Sequence, residues 1–197
     1  MKKVLIATTN VDKFKAISKV FENTIFPKDE FIIESLSDIK LNIKDEKEIG
    51  TNLERARTKA INAFNAVNES NYNYDFVAGL DDAIRVKGVL EADIKKYIEK
   101  ILYGNYINDG EEYAFNRAYV IIDKNMKIYE TTIDIPYIYH KITEKIQLKD
   151  HTYQLAIVAY PLGNDKPICD LSEKDEIDYY LKYVKKDLLG LNIEYAK

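Results

Sequence analysis

Residues 2–21 read KKVLIATTNVDKFKAISKVF, an apolar run that stops at a small polar turn and gives way to a lysine-bearing amphipathic segment. Val4, Leu5 and Ile6 form the short unbroken apolar run of a strand buried on both faces. Ala7-Thr8-Thr9-Asn10 then supplies small side chains and a natural N-cap, and Phe14, Ile17 and Phe21 recur at helical spacing. The stretch reads as strand, phosphate loop and helix. A helix N-terminus presents unpaired backbone N–H groups to an anion, the hydroxyls of Thr8 and Thr9 and the amide of Asn10 add donors, and Lys13 adds a positive charge. A strand followed by a capped helix also opens very many α/β domains, so a plain structural role stands beside the phosphate site.

The 197 residues are enough for one large domain or two small ones with a sizeable core. Lysine and arginine number 29 against 33 aspartates and glutamates, a formal charge of −4, which argues against a protein that coats nucleic acid through its net field. A lone cysteine, Cys169, cannot close an internal disulfide, and with His140 and His151 it falls short of a structural zinc site. The sequence contains no secretory h-region and no eighteen-residue apolar span, so the expectation is a cytoplasmic protein with no membrane attachment.

Further along, Phe31-Ile32-Ile33 reads as a second strand and residues 38–48 as a solvated loop. From Gly50 to about Val67 the positions Leu53, Ala56, Ala60, Ala63, Phe64 and Val67 follow the helical period, while Glu54, Arg55, Arg57 and Lys59 lie off that stripe. Phe76-Val77-Ala78 enters a third strand, and Gly79-Leu80-Asp81-Asp82 is expected to turn out of it. A helix is expected over 90–102, strands over 115–122, 127–133 and 153–160, and a hairpin at Asp123-Lys124-Asn125. Ser172 caps a last helix that Gly190 is placed to end. The sum is an α/β fold: a mixed twisted sheet flanked by helices, with a β-rich second lobe.

The chemistry comes from residues distant in sequence. Glu54, Asp81 and Asp82 are hard oxygen ligands of the kind that hold Mg²⁺ together with substrate phosphates and water. Lys13 would face them across the phosphates, and Asp81 is the candidate base that takes a proton from the attacking water. As solvated charges in a wet cleft they contribute little to the core, so Asp81→Asn is expected to change stability by only about 0.5 kcal/mol. Four tyrosines of the second half, Tyr137, Tyr139, Tyr153 and Tyr160, read first as strand and core packing, with stacking on a nucleobase as the alternative.

The motif ATTN-x-x-K at residues 7–13, GT-x-x-E-x-A-x-x-KA at residues 50–60 and Asp81 beyond them resemble the inosine triphosphate pyrophosphatase family, the Ham1-type enzymes. The resemblance covers most of the chain and continues weakly through residues 88–102 and Asn116-Arg117-Ala118-Tyr119. It implies a single ITPase-like domain, with an α/β lobe of about 1–112 plus the C-terminal helix and a β-rich lobe of about 113–170. It also implies an Mg²⁺-dependent hydrolase that splits a nucleoside triphosphate into a nucleoside monophosphate and pyrophosphate, working as a homodimer. By position, Thr8, Asn10, Lys13 and Lys59 match the phosphate side, with Lys13 and Asp81 as catalytic residues, and Glu54 and Asp81 match the metal side; the reading of the residues themselves adds Thr9 to the first set and Asp82 to the second.

The sequence also departs from the pattern. Leu80 stands where the family carries an acidic residue, Asp82 where it carries a hydroxyl, and Arg55 where it usually has asparagine. The turn that helps read the base is reduced to Ala159-Tyr160-Pro161, and Asp178-Tyr179-Tyr180 replaces the purine-recognising Ser-His-Arg. Two functions follow as expectations: a triphosphate pyrophosphohydrolase with altered base recognition, or a nucleotide-binding sensor on the same fold.

Overall fold

The apolar run at residues 4–6 is the end of strand β1 (Lys2–Ile6), and the polar turn after it leads into helix α1 (Val11–Glu22). The structure, a computed structural model, describes residues 1–39, 41, 43, 49–70, 72–103, 106–142 and 154–194. The chain continues as β2 (Phe31–Ser35), α2 (Asn52–Asn68), β3 (Phe76–Val86), β4 (Val89–Glu91), α3 (Ile94–Leu102), β5 (Glu112–Asp123), β6 (Ile128–Tyr139), β7 (Ala159–Pro161) and α4 (Glu173–Gly190). The strands join in the order β2-β1-β3-β5-β6-β7, with β4 paired to β3. Strand β1 runs parallel to β2 and β3, whereas β3–β4 and β6–β7 are antiparallel, so the sheet is mixed as the sequence pattern requires.

Two compact units emerge, Met1–Asp81 with Arg117–Ile133 and Val184–Lys197, and Asp82–Asn116 with Asp134–Tyr183. Their boundaries fall inside β3, β5, β6 and α4. In the first unit β1 and the start of β3 are covered on both faces, which is why residues 4–6 and 76–78 show no polar alternation. Leu5, Val77, Ala118, Val120 and Ile122 pack with Ala56, Ala60, Ala63, Phe64 and Val67 of α2 in one buried cluster. On the opposite face, Phe26 lies 5.4 Å from Phe21, 5.0 Å from Phe31 and 5.1 Å from Phe76, ring centre to ring centre.

The second unit has an aromatic interior. Phe115 and Tyr179 lie 5.0 Å and 5.4 Å from Tyr137, and Tyr113 stands edge-on to Phe115 at 5.5 Å. The Tyr139 hydroxyl donates to the Ile101 carbonyl, tying β6 to α3. Tyr137 and Tyr139 are therefore core residues, while Tyr160 stacks edge-on against His140 at 4.6 Å.

Three expectations change. The helix expected from Leu90 starts only at Ile94, because Lys87 (φ 50°) and Gly88 (φ 80°) make a two-residue hairpin turn that pairs Val89–Glu91 with Ile84–Val86. In the strand expected over 153–160, Gln154–Ile157 is a 3₁₀ turn and only Ala159–Pro161 pairs; Tyr153, like His151, lies outside the described residues. Finally, Gly79-Leu80-Asp81-Asp82 is not a turn, since β3 runs straight through it to Val86. The hairpin at 124–127 is present, held by Asp123, whose carboxylate accepts from the N–H groups of Asn125 (2.8 Å) and Lys127 (2.9 Å).

Candidate functional site

Helix α2 starts with a reciprocal cap. The Glu54 carboxylate accepts from the Thr51 N–H at 2.7 Å and from the Thr51 hydroxyl at 2.9 Å, and the Glu54 N–H donates back to that hydroxyl at 3.3 Å. Gly50, at φ 92°, makes room for it: a Cβ there would lie 2.4 Å from Glu54 Oε2. The Thr51 backbone N–H, then its hydroxyl, holds the Glu54 carboxyl below the usual glutamate range. A residue expected to ligate metal is thus engaged in starting the helix.

One turn later α2 and β3 come close together. A Cβ on Gly79 would sit 2.1 Å from the Ala56 carbonyl oxygen and 2.6 Å from the Ala60 nitrogen. Glycine facing two alanines lets helix backbone touch strand backbone, and side chains two residues along the strand share the same face. Asp81 is two residues on from Gly79, and it receives the side chains at positions i and i+4 that flank the alanines. Arg55 Nε lies 2.6 Å from Asp81 Oδ2, and Lys59 Nζ donates to Asp81 Oδ1 at 2.7 Å. The Arg55 N–H is not aligned along a hydrogen bond to that oxygen, so the contact is an ion pair of close charges. Arg55 and Asp81 are both buried, and Lys59 keeps 29% of its side-chain surface open.

The loop after β1 leaves the sheet beside this constellation. Ile6 pairs with Ala78, and the Ala7 N–H donates to the Ala78 carbonyl at 2.8 Å. Asp81 lies three residues beyond Ala78 along β3, a rise of roughly 10 Å. The Thr8 hydroxyl accepts from the Asn10 N–H at 3.2 Å, and the Asn10 carboxamide oxygen accepts from the Lys13 N–H at 2.8 Å. Thr9 and Asn10 are exposed, and Thr8 and Lys13 are half-buried. Residues 7–10 thus follow the end of β1, whose neighbour β3 carries Asp81 with Lys59, and the Thr8 carbonyl accepts from the Leu36 N–H at 3.2 Å and the Thr9 carbonyl from the Ser37 hydroxyl at 3.4 Å.

The metal side is different. Among the described residues no three carboxylate, imidazole or thiolate groups converge as a cation would need. Glu54 is held by its own cap, both Asp81 oxygens already face cations, and Asp82, next along an extended strand, leaves by the opposite face. The set Glu54, Asp81 and Asp82 does not fit Mg²⁺ in this arrangement. Arg55 is the residue that reading the sequence placed on the outside of the helix. Its signal was its i, i+4 spacing to Lys59 alongside Ala56 and Ala60.

In the second unit, Tyr179 and Tyr180, two of the three positions matched to base recognition, are taken into the core. The Tyr179 hydroxyl donates to the Pro136 carbonyl and accepts from the Leu162 N–H at 3.1 Å. Burial pushes the Tyr179 phenol well above its ordinary value, with the Leu162 N–H opposing. Tyr180 is buried and Asp178 exposed. Lining one open cavity of about 400 Å³ in this unit are Arg85, Lys87, Tyr113, Asp134, Pro136 and Tyr183, among others, with Arg85 Nε donating to Asp134 at 2.8 Å.

No protein-family model matches the chain, and no curated protein matches its sequence. Solved structures do match its fold. A HAM1 protein from Coxiella burnetii aligns with a TM-score of 0.64 at 11% identity, covering 96% of this chain and 95% of that one. The Ham1 protein of Staphylococcus aureus gives 0.59 at 16% identity over 97% and 98%. A nucleoside-triphosphatase/dITP/XTP pyrophosphatase from Mycobacterium abscessus gives 0.53 at 16% identity over 96% and 97%. Among the described residues no helix is long and apolar enough to cross a membrane. Over 96–97% of its length this chain has the fold of the Ham1 proteins, at a sequence identity of 11–16%.

Proposed function

We propose that the chain is a nucleoside triphosphate pyrophosphohydrolase with altered base recognition, which cleaves between the α and β phosphates to give a nucleoside monophosphate and pyrophosphate. The observation that carries this reading is the pairing of the end of β1 with Ala78 of β3, three residues before Asp81, with Lys59 partly open to solvent at that carboxylate. In it Thr8, Thr9, Asn10 and the start of α1 cradle phosphate oxygens, Lys13 and Lys59 supply positive charge, and Asp81 orients Lys59 toward them. Any Mg²⁺ that the Ham1 resemblance implies would be held by the phosphates of the nucleotide, since Glu54, Asp81 and Asp82 do not offer it a site. Tyr179 and Tyr180, buried where a base-reading motif is expected, support a changed base preference, because a pocket that lacks its hydrogen-bonding groups loses its discrimination. The same resemblance supports a cytoplasmic homodimer, which sedimentation at micromolar concentration tests.

The deciding experiment incubates the protein with purine, pyrimidine and modified nucleoside triphosphates and Mg²⁺. Pyrophosphate released in step with monophosphate is the expected result, and silence across the panel overturns it. The double engagement of Asp81 favours a second reading, a nucleotide sensor without turnover. Calorimetry separates the two: a nucleotide bound tightly and recovered intact belongs to a sensor.

A further inference from the structure

A carboxylate serves a divalent cation only with an oxygen left for it, and Asp81 meets a cation at each of its two oxygens. Arg55 Nε stands 2.6 Å from Oδ2 and Lys59 Nζ 2.7 Å from Oδ1. Arg55 is itself buried, so its guanidinium is packed in place and does not swing aside into solvent as a surface arginine would. Its backbone is fixed by the approach of Ala56 and Ala60 to Gly79, which sets how far the guanidinium stands from the strand. To admit Mg²⁺ at Asp81, this cation would have to leave a partner in a desolvated site, where the mutual attraction of charges is strongest.

We infer that Arg55 is a built-in counter-ion that takes the place of a protein-bound divalent cation at Asp81. In the free protein Asp81 is then a positioning residue for Lys59 and no metal ligand, and any Mg²⁺ in a complex is held by the phosphates of the nucleotide. Whether this site takes metal is set by residue 55. Removing the guanidinium exposes a carboxylate with a free oxygen, the minimal donor around which Mg²⁺ or Mn²⁺ with its waters can assemble. The inference concerns the site of the proposed function, but its test needs no nucleotide. Silence in the nucleotide panel would sink that function and leave this inference standing.

The probe is Mn²⁺ alone, titrated into the full-length protein and followed by the loss of its free paramagnetic signal. The wild type is expected to retain no Mn²⁺ up to about 1 mM, weak even for a cation site of low charge. Arg55→Asn and Arg55→Gln, each checked for its native circular dichroism, should bind one Mn²⁺ at least about tenfold tighter than the wild type, and adding Asp81→Asn to either should abolish it. One Mn²⁺ bound by the wild type and lost in Asp81→Asn would make Asp81 a metal ligand and overturn the inference. Folded Arg55 variants that bind no better than the wild type would overturn it too. Should neither variant fold, the wild-type titration against Asp81→Asn still decides.

Discussion

Where α2 meets β3, one glycine, two alanines and three charged side chains form the contact, whereas the second unit fills its interior with tyrosine and phenylalanine rings. Small residues bring backbones together and leave nothing to rearrange, so the geometry of the charges above them is fixed by the main chain. Rings bury more surface per residue and tolerate tilts from 40° to 84°, so they stabilise without aiming any group at a ligand. The first construction suits a site and the second a support.

That contrast is broken most directly by one truncation and one insertion. Tyr137→Ala removes a fully buried ring from between Phe115 and Tyr179 and should cost about 4 kcal/mol. Gly79→Ala adds a single carbon, but it would press on the backbone of Ala56 and Ala60 and should cost about 3 kcal/mol. Gly88→Ala is the control, with nothing within 4 Å of the new Cβ, so only its φ of 80° counts, at about 1 kcal/mol. Urea unfolding followed by circular dichroism reads all three. A Gly79→Ala loss no larger than that of Gly88→Ala would mean that α2 is not held by this contact.

The next effect is smaller and sharpens the charged side of the comparison. Sequence alone put Asp81 in a solvent-facing turn, where Asp81→Asn would be close to neutral. Because the carboxylate is buried against Arg55, the same change puts a neutral carboxamide in place of the charge that faces a buried guanidinium. It should cost about 2 kcal/mol, less than full deletion of a buried pair since the asparagine oxygen still accepts. A loss within about 0.5 kcal/mol in urea would return Asp81 to the surface role. By contrast, Arg57 grips Glu130 through two nitrogens, but with over a third of its side chain exposed, solvent screening keeps Arg57→Ala to about 0.5 kcal/mol.

What could be read from the sequence follows from how local its causes are. The β1 turn, the Asn10 cap and the alanine stripe of α2 are set by neighbours within a few residues, and the structure places them where the pattern does. The run through Gly79 looked like a turn because glycine and paired aspartates mark turns. It stays extended because β1 and β5 flank β3 and α2 presses on Gly79, contacts made by residues far away in the chain. The hairpin at Lys87-Gly88 was hidden because lysine rarely takes a positive φ. Arg55 was misplaced for a related reason: helical periodicity sorts residues by polarity, and a buried arginine is placed by its carboxylate partner.

Glu54 gives the smallest effect, and its sign comes from linkage. The Thr51 N–H and hydroxyl favour the ionised carboxyl, so the folded-state pKa lies below the ordinary value of 4.5. The contribution of the charged cap is therefore complete above that value and fades as pH falls through the depressed one. Hydrogen exchange at the Thr51 amide, corrected for intrinsic rate, should show protection near pH 6 that is reduced near pH 3. Glu54→Gln keeps an oxygen that accepts from Thr51 but cannot ionise, so its protection should be lower near pH 6 and unchanged by acid. If the wild-type amide is equally protected at both pH values, the carboxylate is not what starts α2, and Glu54 regains its claim as a ligand.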